Sequence, residues 1–168
     1  MVNAAFLFLR RIRHCAGFGI QSPTDYAFVR EVIYQRTPYY AYDELDSQFP
    51  AAGKKEKWQT RLLHRVANHA QTDTIVYFGK SIPEADDIAL RKGCRKTAVI
   101  TCDNLEELSL HASHDGVWIV IPDIYSKNKN AWEHLQTHRN IIAFDLYHLA
   151  IAFVDKKRYA EVHIVNPY

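Results

Sequence analysis

Ile141-Ile142-Ala143-Phe144-Asp145-Leu146-Tyr147-His148-Leu149-Ala150-Ile151-Ala152-Phe153-Val154 holds the strongest constraint on how this chain can fold. Two almost wholly apolar runs, 141–146 and 149–154, stand with only Tyr147-His148 between them. A parallel pair needs a crossover of a dozen or more residues, so strands joined this closely must pair antiparallel. Runs that are apolar at successive positions, instead of alternate ones, belong to a sheet covered on both faces. The connecting dipeptide lacks the Gly or Asn that two-residue hairpins favour.

Outward from this hairpin, strands alternate with helices. Val117 to Ile121 is an apolar strand, and Lys127 to His138 reads as a helix with Trp132 and Leu135 on one side. Leu105 to Ala112 reads as a short helix, and Thr97 to Cys102 and Thr74 to Phe78 as strands. Pro83 to Arg91 reads as a helix with proline at a tolerated early position, which completes a βαβ unit. Lys57 to Ala70 reads as a helix with Trp58, Leu62, Leu63 and Val66 on its apolar face, and Tyr159 to Val165 as a further edge strand. The expected fold class is therefore α/β, with a mostly parallel sheet of about five strands ending in an antiparallel strand.

The lysine-rich stretch Phe49-Pro50-Ala51-Ala52-Gly53-Lys54-Lys55-Glu56-Lys57 reads as an exposed connector. It separates an N-terminal helical preamble, 1–50, from the α/β core, 57–168, within one domain over 1–168. In the preamble, Val2 to His14 and Tyr26 to Gln35 read as helices around the turn Gly17-Phe18-Gly19-Ile20-Gln21-Ser22-Pro23, with Thr24-Asp25 opening the second.

Composition narrows the function classes. A chain of 168 residues with 48% hydrophobic content buries a core without help from disulfides or metal. Its 21 Lys+Arg nearly balance 19 Asp+Glu, so nucleic acid is not expected as a partner and any basic patch must be local. Cys15, Cys94 and Cys102 form no CxxC pair, which argues against a disulfide framework and a zinc ribbon and for a reducing compartment. The apolar run 4–9 precedes Arg10, Arg11 and Arg13, the reverse of a secretion signal, and no run approaches the roughly 20 apolar residues of a membrane span. A cytoplasmic protein with no transmembrane segment is expected.

Several stretches resemble one branch of the class I S-adenosylmethionine (SAM) methyltransferases. Gly19-Ile20-Gln21-Ser22-Pro23 followed by Thr37-Pro38-Tyr39-Tyr40-Ala41-Tyr42 is similar to that branch's preamble, usually His-Gly-Ile-His-Ser-Pro, with Phe18 and Gln21 in place of the histidines. Pro122-Asp123-Ile124-Tyr125-Ser126-Lys127 with Ala131-Trp132 resembles the segment after its fifth strand, where Pro122 replaces the first acid. Phe144-Asp145-Leu146-Tyr147 and Leu149-Ala150-Ile151-Ala152-Phe153 look like its terminal strand pair. The resemblance implies a Rossmann-like fold ending in an antiparallel strand.

It also implies a cofactor site. Tyr77-Phe78-Gly79-Lys80-Ser81-Ile82-Pro83 stands where the family has Glu-x-Gly-x-x-x-Gly, so Gly79 remains while Tyr77 and Pro83 replace the acid and the last glycine. Asp103, 24 residues after Gly79, stands where an acid would hold the ribose hydroxyls. From its position alone it reads as a strand-end or capping residue, a role open to Asn104 as well. Asp123 and Tyr125, where a parallel strand ends, and Tyr40 in the aromatic run would face the methyl acceptor, and Asp123 alternatively orders a turn. The family's third and fourth strands have no counterpart between Asp103 and Val117. Weak or absent SAM binding is the expectation.

No metal is expected. His134 and His138 share a helix face, but Glu133 precedes the first histidine, unlike the His-Glu-x-x-His order. With Pro122 in place of one acid, a magnesium site at Asp123 is short of ligands. Two functional readings follow: a minimal methyltransferase using Gly79 and Asp103, or a non-catalytic scaffold of that fold, with a possible homodimer through the apolar N-terminal helix.

Overall fold

The computed structural model describes residues 4–37, 39, 41–48, 53–79 and 98–167. Ile141–Asp145 and Leu149–Val154 pair antiparallel, with Ile142 opposite Phe153 and Phe144 opposite Ile151. The turn dispenses with Gly or Asn because Asp145 supplies the missing contact: its Oδ1 accepts from the Tyr147 N–H at 2.8 Å. Tyr147 takes φ 68°, a left-handed conformation that costs a tyrosine on the order of 1–3 kcal/mol.

These two strands, β4 and β5, belong to one six-stranded mixed sheet with β1 (Thr74–Phe78), β2 (Ala98–Cys102), β3 (Trp118–Pro122) and β6 (Glu161–Ile164). The order is β2-β1-β3-β5-β4-β6. β1 pairs parallel with β2 and β3, and β4 pairs parallel with β6. Only β5 runs against the others, and it lies inside the sheet between β3 and β4. The sheet thus has six strands among the described residues where about five were expected. The sixth is the edge strand anticipated near the C-terminus, and it runs parallel to its neighbour.

Every residue of β4 is buried, Asp145 included, as a strand covered on both faces requires. Ile75, Tyr77, Val120, Ile142, Phe144 and Ile151 point to one face. There they meet Phe28, Val29, Leu62 and Val66 from α2 (Pro23–Phe28), the π-helical turn Val29–Ile33 and α4 (Lys54–Ala70). Val76, Ile119, Ile121, Ala143, Ala150 and Ala152 point to the other. Their cover is Leu108, Trp132 and Leu135 from α5 (Leu105–Ala112) and α6 (Lys129–Leu135). The result is three layers, helix on sheet on helix.

The N-terminal elements are shorter than the apolar periodicity suggests. α1 spans Ala4–Arg10 and passes into a 3-10 turn, Ile12–Gly17, where Ala16 (φ 53°) and Gly17 (φ 81°) reverse the chain. A side chain on Gly17 would come within 3.1 Å of the Tyr26 ring, so this glycine serves both backbone and packing. α2 starts before Thr24-Asp25, because Ser22 Oγ caps it by accepting from the Asp25 N–H at 3.4 Å and Pro23 fits the first helical position. α3 (Ala41–Gln48) takes in Ala41 and Tyr42, the end of the aromatic run. The supposed connector at Lys54 to Lys57 is the first turn of α4; Lys and Glu are good helix formers, and the apolar stripe behind them carries the helix forward. The expected helix at Pro83 to Arg91, and Cys94, fall outside the described residues.

A buried ionic knot ties α2 to β6. Asp25, 1% exposed, accepts from Arg158 Nη1 and Nη2 at 2.7 and 2.5 Å and lies 3.0 Å from His163 Nε2. Burial, the largest single influence, pushes the carboxyl pKa up. Hydrogen bonds from Arg158, His163 and Ser22 and the Arg158 charge together outweigh it, so the value falls below the usual carboxylate range. A depressed pKa contributes stability that is present above the unfolded value, about 3.9 for aspartate, and is lost as pH falls through the lower folded value. Urea unfolding should therefore show Asp25→Asn less stable by about 3 kcal/mol near neutral pH and with a shallower loss of stability in acid than the parent.

Candidate functional site

β1, β2, β3, β4 and β6 share one direction, so Gly79, Asp103, Asp123, Leu146 and Val165 follow them at a single carboxyl edge. Open α/β sheets bind ligands at this edge. Gly79 and Asp103 are brought together there: Phe78 stands opposite Cys102, and the Gly79 N–H donates to the Cys102 carbonyl at 2.7 Å. Asp103 is exposed and does not cap α5. Asn104 does so, its Oδ1 accepting from the Glu107 N–H at 2.7 Å while its Nδ2 reaches Glu107 Oε2 at 3.4 Å.

Tyr77 changes what Gly79 can offer. A Cβ on Gly79 would lie 3.1 Å from Tyr77 Cε1, so the phenol ring already fills the space that a side chain there would need. Burial pushes the Tyr77 pKa up, and the negative charge of Asp123 adds to it. Among the described residues, a cavity of about 30 Å³ lies between this ring and α4, lined by Gln59, Thr60, Leu63, Tyr77, Pro122 and Leu149 among others. That is room for about one water molecule.

Asp123 takes φ 52° at the end of β3, and its backbone shapes the turn that follows. Its N–H donates to the His148 carbonyl at 2.7 Å, and its carbonyl accepts from the Ser126 and Asn128 N–H groups at 2.9 and 3.2 Å. The carboxylate meets Lys55 Nζ at 2.9 Å, a lysine from the stretch read as a connector. Both the turn-ordering role and the position at the ligand edge therefore fall to Asp123. Burial, the Lys55 charge nearby and a smaller effect of Arg11 hold the His148 imidazole pKa down against the pull of Asp123.

Beyond Asp123 lies a cluster that sequence reasoning met only through Tyr125. The Tyr125 hydroxyl donates to Asp145 Oδ2. Arg11 Nη2 donates to both Asp145 oxygens at 2.9 and 3.0 Å, and Nη1 to the carbonyls of Asp145 and Val165 at 2.9 and 3.1 Å. Tyr147 stacks on Tyr125 with centroids 5.2 Å apart, and the Arg11 guanidinium lies 5.3 Å from the Tyr147 ring centre. Burial, then the hydrogen bond to Asp145 and its charge, push the Tyr125 pKa up to about 12. Beside this cluster opens a cavity of about 400 Å³, lined by Leu7, Arg10, Arg11, His14, Tyr125 and Tyr147 among others.

Arg11, Tyr125 and the Tyr147 N–H all donate to the Asp145 carboxylate, and these bonds occupy the roughly four lone-pair sites of its two oxygens. Tyr125 remains protonated at physiological pH and acts as a donor. The signal for the missed members was an acid in a strand otherwise apolar throughout, since a carboxylate buried there demands a cation. Tyr40, the other expected acceptor-side residue, lies outside the described residues. Comparisons with family models, curated proteins and solved structures find no match.

One further set of side chains has ligand chemistry. Asp25, Glu161 and His163 each place one donor atom within 4.8 Å of the others. Arg158 already donates to both Asp25 oxygens and lies 3.7 Å from Glu161, so a guanidinium holds the position of the positive charge. His134 and His138 stack edge to face at 5.5 Å, and His134 Nε2 bonds Ser109 Oγ at 2.6 Å.

Arg11→Met strands a buried carboxylate and should cost about 3–5 kcal/mol in urea unfolding, whereas the paired Arg11→Met/Asp145→Leu change should cost much less. In a spectrophotometric titration, Tyr125→Phe should remove one phenol that ionises near pH 12.

Proposed function

We propose that this chain is a SAM methyltransferase-like α/β domain whose SAM binding is weak or lost, and that it acts as a non-catalytic binding module. The observation that carries this reading is the Tyr77 ring lying against Gly79, with the Gly79 N–H already spent on Cys102. A glycine at that position serves a nucleotide-like ligand only when its backbone is open to close approach. Here a phenol fills the space where the resembling family has an acid.

The sheet supports the first half of the proposal. Five strands run one way and one runs against them near the C-terminus. That agrees with a Rossmann-like sheet lacking its third and fourth strands. Asp103 and Gly79 keep the neighbouring places that a ribose acid and a glycine turn require. The alternative, a minimal methyltransferase, rests on those two residues alone, with Asp123 and Tyr125 toward the acceptor. Lys55 neutralises the first of these, and Asp145 accepts from the second.

The second half rests on surface chemistry. α1 buries Leu7 but leaves Phe6 54% and Leu9 64% exposed, and Ile12 beyond it 50%. An apolar strip of this kind on a small domain favours contact with a protein, including a second copy of this chain. None of the described helices is long and apolar enough to cross a membrane.

Isothermal titration with SAM and S-adenosylhomocysteine should show no saturable micromolar binding, and Asp103→Ala should behave as the parent. Saturable heat that Asp103→Ala abolishes would restore the enzyme reading. Sedimentation should show self-association that Phe6→Ser/Leu9→Ser removes; a monomer at all concentrations would exclude the homodimer.

A further inference from the structure

A cavity of about 450 Å³, distinct from those at the carboxyl edge, lies between the first turns of α4, the end of the π-helical turn and Pro167. Its volume falls in the roughly 300–1,000 Å³ range of small-molecule sites. Five cations line it: Arg36, Lys54, Lys57, Arg61 and Arg65. In a chain of formal net charge +2, this is a marked local concentration.

The charges are unevenly answered. Asp46 takes Arg61 through bonds of 2.7 and 3.3 Å and lies 3.9 Å from Lys57. Among the described residues, neither Arg36 nor Lys54 has an ion-pair partner. Arg65 is 5% exposed, and its guanidinium donates to the Val32 carbonyl, the Ile33 carbonyl and the Tyr42 hydroxyl at 2.5, 3.3 and 2.9 Å. A guanidinium has five N–H groups, so two remain for an acceptor in the cavity it lines. Lysines at Lys54, Lys55 and Lys57 also sit in the first turn of a 17-residue helix, where the backbone dipole disfavours cations and favours an anion.

Aromatic walls complete the site. Trp58 and Tyr34 line the cavity, both half-buried. Tyr34 is fixed by donating its hydroxyl to the Asn166 carbonyl. Flat rings beside guanidinium and ammonium groups suit a ligand that carries both a planar ring and phosphate oxygens.

From this juxtaposition in one cavity of a cation cluster, two members of which have no described ion-pair partner, with aromatic rings, we propose that the protein binds a nucleoside phosphate here, its phosphates on Arg36, Lys54, Lys57 and Arg65 and its base against Trp58. This site goes beyond the binding-module reading and does not depend on it. It uses neither Gly79 nor Asp103, so the two readings fail separately.

The test is isothermal titration of the full chain with ADP, adenosine and inorganic pyrophosphate at low ionic strength. ADP should bind saturably, more tightly than either fragment, and weaken as salt is raised. Arg36→Gln/Lys54→Gln changes two exposed side chains with no described ion-pair partner, so its thermal midpoint should match the parent while ADP affinity falls at least about tenfold. Trp58→Leu should reduce the advantage of ADP over pyrophosphate. No saturable ADP binding, unchanged affinity in the double variant, or pyrophosphate binding as tightly as ADP would each overturn the proposal.

Discussion

The carboxylate of Asp145 gathers polar groups from three separate parts of the chain. It sits at the end of β4 and receives Arg11 from the segment after α1, Tyr125 from the turn after β3, and the Tyr147 N–H from the β4–β5 turn. Through Arg11 it also fixes the backbone at Val165, beyond β6. A charge buried among apolar strands is costly unless compensated, and once compensated it tolerates few alternative arrangements. The position of α1, the shape of the β4–β5 turn and the wall of the 400 Å³ cavity all follow from satisfying this one group. The Asp25–Arg158–His163 knot performs the corresponding task between α2 and β6.

The layered α/β architecture was legible because burial on two faces leaves a local mark in the sequence. Runs such as Ile141 to Phe144 and Leu149 to Val154 can satisfy their apolar side chains only inside a covered sheet, and the dipeptide between them sets their direction. The extra turn of α4 was hidden because a lysine-rich helix start and an exposed connector have the same composition. The turn between α1 and α2 was legible in Gly17 to Pro23, but the early end of α1 at Arg10 was hidden, because the 3-10 turn after it depends on left-handed geometry at Ala16 and on Gly17 meeting Tyr26, neither of which has a periodic signature.

The candidate sites were legible only at their ends. Gly79, Asp103 and Asp123 could be placed at the carboxyl edge because each follows a recognisable strand. That Tyr77 would turn its ring onto Gly79, or that Lys55 would reach Asp123 across 68 positions of sequence, depends on how α4 lies on the sheet. The basic cavity is a stronger case. Near-neutral net charge hides it, since Arg36 and Lys54 to Arg65 gather only when the π-helical turn and the start of α4 come side by side.

Asn166 joins the two ends of the chain: its N–H donates to the His14 carbonyl and its side-chain amide to the Phe8 carbonyl, while its own carbonyl accepts from Tyr34. Contacts spanning 158 positions form only after long loops have closed, so they are expected late in folding. During synthesis α1 and α2 must therefore wait for β6 to emerge, with Phe28 and Val29 still without their full cover. The preamble is made first but secured last, which makes it the part of the nascent chain most dependent on protection from aggregation.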